Sequence, residues 1–82
     1  MSALTGASPD LTVFLDELVR LRTNAGLTPR ALAERLGIEE DDVRRGEGGT
    51  RRVGVVELQR WAVACGSTLE AFGRQLQART LQ

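Results

Sequence analysis

The chain has 82 residues, 41% of them apolar and 27% charged, with eleven arginines balanced by eleven carboxylates and neither lysine nor histidine. That length and balance describe one domain with a modest core and argue against disorder, but zero net charge withholds the basic signature of many nucleic-acid binders. One cysteine allows no internal disulfide, and the absence of histidine removes the usual metal ligand and catalytic base, so neither an enzyme nor a cofactor is expected.

The elements follow in order. Met1 to Ala7 is small and polar and reads as a flexible leader to a domain spanning residues 8–82. Ser8-Pro9-Asp10 announces the first helix with a capping hydroxyl, a proline where no amide partner is needed, and an acid at the positive helix end. Leu11, Phe14, Leu15, Leu18, Leu21 and Ala25 recur at three- and four-residue steps as an inward stripe, which Gly26 stops. The second helix starts at the cap Thr28, carries Pro29 in its first turn and ends at Gly37. The third covers about Glu40 to Glu47 and is weakened by Gly46, Gly48 and Gly49.

Thr50 to Gly54 reads as a loop carrying Arg51 and Arg52. The fourth helix turns Val55, Leu58, Trp61, Ala62 and Cys65 to one face and stops at Gly66. Ser67-Thr68-Leu69-Glu70 reads as a capping box with the serine as cap. The fifth helix then carries Leu69, Phe72, Leu76 and Leu81, with fraying expected after Ala78. Strand signals and repeats are absent. No apolar run reaches membrane length and the N-terminus lacks a signal pattern, so a cytoplasmic all-α domain of five helices is expected, without a membrane partner.

Thr28 to Gly49 frames the rest. Ala33, Gly37 and Val43 place a small residue, a left-handed glycine and an inward apolar residue as two short helices crossing at a tight turn require. From Leu18 to Phe72, about two-thirds of its length, the chain resembles the lambda-repressor-like (Cro/C1-type, XRE) helix-turn-helix family. The matching text is Leu21-Arg22, Ala25-Gly26-Leu27-Thr28, Ala31 to Ile38, then Val43, Arg45 and Glu47. Leu58, Trp61-Ala62, Cys65-Gly66 and Ser67-Leu69-Glu70 continue it. The resemblance implies a prokaryotic transcription regulator that binds double-stranded DNA as a homodimer, and an ion pair between Arg22 and Glu47. Three departures stand against it: Pro29 replaces a glutamine, Gly46 replaces a core apolar residue, and acids crowd the third helix.

With Val43 inward and about 100° per residue, Asp41 and Arg45 point outward and Asp42 and Arg44 flank them. These four are the expected groove-facing residues, while Thr28, Arg30, Arg51 and Arg52 are expected at the phosphates. Asp41–Arg45 and Glu40–Arg44 are i, i+4 pairs, so the face is zwitterionic. The acids Glu39, Glu40, Asp41 and Asp42 serve the helix dipole or form a negative patch for a protein partner. On that second reading the domain is a protein-interaction module on a degenerate helix-turn-helix scaffold. Arg51 and Arg52 also fit a solvated loop, and Trp61 and Cys65 fit the core.

Overall fold

The computed structural model describes residues 9–81, so the leader and the Ser8 cap lie outside the described residues. Five helices follow in order: α1 Pro9–Asn24, α2 Pro29–Leu36, α3 Glu40–Gly48, α4 Val55–Ala64 and α5 Leu69–Thr80. Helix α1 lies against α3 and α5, α2 against α3 and α4, and α4 against α5. Every helix feeds one core: Leu18 from α1, Leu32 and Ala33 from α2, Val43 from α3, Leu58, Trp61 and Ala62 from α4, and Phe72 from α5. Phe14 meets the Phe72 ring edge-on, with centroids 5.8 Å apart, a geometry that aromatic quadrupoles favour.

The α2–α3 turn depends on Gly37, whose φ of +70° is left-handed. Its amide donates to the Glu34 carbonyl and that of Ile38 to the Ala33 carbonyl at 3.1 Å, closing the helix end as a Schellman motif. At the other end of α2, the Thr28 hydroxyl accepts from the Ala31 amide at 3.1 Å.

Several boundaries differ from the sequence reading. Thr68, not Ser67, caps α5, accepting from the Ala71 amide at 3.0 Å. Helix α5 continues past Ala78 because Arg79 is tied to α1: its Nη1 lies 2.9 Å from Asp16 and 2.7 Å from Glu17. Ala25 falls in an exposed turn, Val55 starts α4 on the solvent side, and Leu81 is exposed beyond α5.

Gly46 keeps its propensity cost in α3, but its core position is not left empty. It is buried, and a Cβ built there would meet the Trp61 ring and the Val53 methyl at 3.1 Å each. The indole occupies the volume that an apolar side chain on α3 would otherwise fill. Trp61 is completely buried, and its Nε1 finds no acceptor among the described residues. An unpaired buried donor costs on the order of 1–3 kcal/mol, which the packing of so large a ring offsets.

Candidate nucleic-acid interface

Helix α3 buries Val43 and Gly46 and turns Asp41, Arg44 and Arg45 to solvent. Its acids are engaged one by one. Arg44 Nε donates to Glu40 Oε2 at 3.0 Å. Arg45 spans two carboxylates, with Nε 3.0 Å from Asp41 and Nη2 3.0 Å from Asp42. Asp42 is half-buried and does more than flank the face: its Oδ2 also accepts from the Glu39 amide at 3.3 Å, which helps fix the start of α3.

The two loop arginines have different surroundings. Arg51 grips Glu57 at the start of α4 with two hydrogen bonds of 3.1 and 2.9 Å, and its Nε lies 3.8 Å from Asp42. The Glu57 hydrogen bonds hold the Arg51 pKa above its ordinary value. Arg51 thus links α3 to α4 through Asp42 and Glu57. Arg52 is exposed and has no carboxylate partner among the described residues. Arg30, beside the Thr28 cap, is exposed and only loosely paired, 3.7 Å from Glu34.

The network therefore joins four of the expected residues, Asp41, Asp42, Arg45 and Arg51, while Arg44 stands beside it on Glu40. Thr28 and Arg30 sit at the start of α2, where the hydroxyl is used as a cap. Glu57 was not foreseen, because a pairing across a loop leaves no periodic signature.

Magnitudes decide how far this masking matters. Exposed ion pairs are typically worth about 0.2–1 kcal/mol, whereas one bidentate contact to a base is worth about 1–3 kcal/mol of discrimination. Arg44 and Arg45 can leave their carboxylates at small cost. The two-pronged, half-buried Arg51–Glu57 pair is held more firmly.

Arg22 carries the structural pair beneath this face. Its Nε and Nη2 donate to Glu47 at 2.7 and 3.0 Å, and its Nη1 donates to the Leu27 carbonyl at 3.0 Å. The end of α1, the α1–α2 turn and the end of α3 are thereby joined through one guanidinium. The side chains are only 13% and 9% exposed, and the hydrogen bonds to Glu47 raise the Arg22 pKa against the opposing effect of burial.

Two short helices closed by a left-handed glycine, the second presenting a polar face to solvent, define a helix-turn-helix domain, an architecture of DNA-binding regulators. Residues 14–74 match the family model described as a helix-turn-helix domain, and the chain belongs to that family. The match agrees with the resemblance to lambda-repressor-like domains. No curated protein matches the chain. Among the described residues no helix is long and apolar enough to cross a membrane, and no cluster of potential ligands could hold a metal ion.

Proposed function

We propose that this protein is a sequence-specific DNA-binding transcriptional regulator, weak as a monomer and acting as a homodimer. The observation that carries the reading is the solvent face of α3, where Arg44 and Arg45 are themselves exposed, paired with Glu40, with Asp41 and with the half-buried Asp42. Helix α3 enters the major groove. Arg44 and Arg45 exchange carboxylates for base edges or phosphates, and Asp41 is free to accept from a cytosine amino group. Arg30 and Arg52 supply the phosphate contacts, and two copies on two half-sites multiply the weak affinity of one.

A specific observation favours a second reading. On and beside α3, four arginines (Arg44, Arg45, Arg51 and Arg52) stand with five carboxylates: Glu39, Glu40, Asp41, Asp42 and Glu57. An excess of acid suits a basic protein partner better than phosphate.

Selection from a random duplex library, followed by fluorescence anisotropy across a salt series, separates the two. DNA regulation predicts an enriched motif and, with at least the two phosphate contacts of Arg30 and Arg52 per monomer, a salt slope of about −2 or steeper per monomer and about −4 or steeper per dimer. No binding to any duplex at low salt would overturn the first reading in favour of the second.

A further inference from the structure

One face of α4 combines exposed apolar side chains with arginine. Val56, Gln59, Arg60 and Val63 stand at i, i+3, i+4 and i+7, all of them exposed, with the two valines 69% and 62% accessible. Together with Arg35, Leu36 and Ala64 they line an open groove of about 420 Å³ between α2 and α4. Through Leu36, Val56 and Arg60 the groove runs on into a second hollow that reaches Ile38, Glu57 and Trp61.

The charges along this groove point in one direction. Eight of the eleven arginines are paired with carboxylates; among the described residues Arg35, Arg52 and Arg60 are not. Two of those three flank this groove. No carboxylate lines its main part, and Glu57, at the edge of the extension, is taken by Arg51. Arg35 is held in place because its Nη1 donates to the Ala64 carbonyl at the end of α4 at 2.9 Å, leaving its other donors available.

We propose that the α2–α4 groove is the docking site for an acidic amphipathic helix of another protein. Its apolar positions seat on Val56, Val63 and Leu36, and its carboxylates meet Arg35 and Arg60, the helix-in-groove mode of recognition. A phosphate backbone would gain nothing from the exposed valines. The carboxylates of a second copy of this chain are largely paired with its own arginines, and the outward face of α3, which carries Glu40, Asp41 and Asp42, has no apolar residue. No residue of α3 lines the groove, so its occupation leaves the helix-turn-helix face open.

The test uses the full chain and a fluorescein-labelled helical peptide with leucines at i, i+3, i+4 and i+7, flanked by glutamates. Anisotropy should show saturable binding that weakens with salt. Val63→Glu and Arg60→Glu, both at exposed positions, should each weaken it by at least about tenfold with an unchanged circular dichroism spectrum. A peptide with lysine in place of every glutamate should not bind. The proposal is overturned if the acidic peptide fails to bind at low salt, if the lysine peptide binds equally well, or if random duplex DNA displaces the peptide and loses affinity in the same two variants. Concentration-dependent dimerisation abolished by Val63→Glu would also overturn it, assigning the face to a second copy.

Discussion

Replacing Glu47 with alanine leaves the Arg22 guanidinium where solvent barely reaches it and removes two of its three hydrogen bonds. Breaking a buried pair from one side costs about 3–5 kcal/mol. The Leu27 carbonyl at 3.0 Å remains and the Arg22 side chain keeps 13% of its surface, enough to admit water, so the lower end of about 3 kcal/mol applies. For a domain of this size each kcal/mol shifts Tm by about 4–8 °C, which gives a fall of about 12–24 °C. Differential scanning calorimetry measures it directly. Arg74→Ala, which breaks the fully exposed pair with Glu70, is the control and should change stability by under about 0.5 kcal/mol. Replacing both partners with apolar residues, Arg22→Met with Glu47→Leu, should recover most of the loss, since what destabilises is the orphaned charge. A Glu47→Ala variant that melts no lower than Arg74→Ala would refute the reasoning.

Gly46→Leu should destabilise by about 1–3 kcal/mol in urea titration, because overpacking against Trp61 and Val53 outweighs the helix-propensity gain of about 1 kcal/mol. Adding Trp61→Leu to it should restore part of the loss. If the protein binds duplex DNA, Arg52→Ala should make the salt slope shallower by about 0.9 per monomer. Arg51→Ala should leave that slope nearly unchanged and lower stability instead. Burial pushes the Cys65 thiol up from its ordinary 9.0, against the opposing effect of Arg35 and Arg22. The folded state therefore retains the proton longer than the unfolded chain, so this contribution is present below pH 9.0 and lost as pH rises through the folded value. Iodoacetamide at pH near 8 should accordingly label native Cys65 more slowly than urea-unfolded Cys65, as read by mass spectrometry.

What the sequence made legible was local. Thr28 as a cap, Gly37 as a left-handed stop and the three-four spacing of Leu18, Leu32 and Leu58 with their neighbours depend on residues close in the chain, and the helices follow them within a residue or two. The i, i+4 pairs on α3 were legible for the same reason. Contacts set by tertiary approach were not. Arg51 meets Glu57 only because the loop folds back, Arg79 reaches Asp16 and Glu17 from the far end of the chain, and Trp61 fills the space left by Gly46. The Ser67–Thr68 choice of cap failed for a smaller reason: both hydroxyls can cap, and only the helix start distinguishes them. At the candidate interface the sequence placed the arginines but not their occupancy. That difference separates Arg51 from Arg52.

The seat of Trp61 over Gly46 also makes the chain report on itself. It is the sole tryptophan and there is no tyrosine, so red-edge excitation selects one chromophore at the α3–α4 seam. If α3 lifts away while the other helices hold, the indole meets water and its emission shifts red, whereas circular dichroism changes little. Opening of α3 and global unfolding should thus be separable by reading intrinsic fluorescence together with circular dichroism, without a label on either face of the domain.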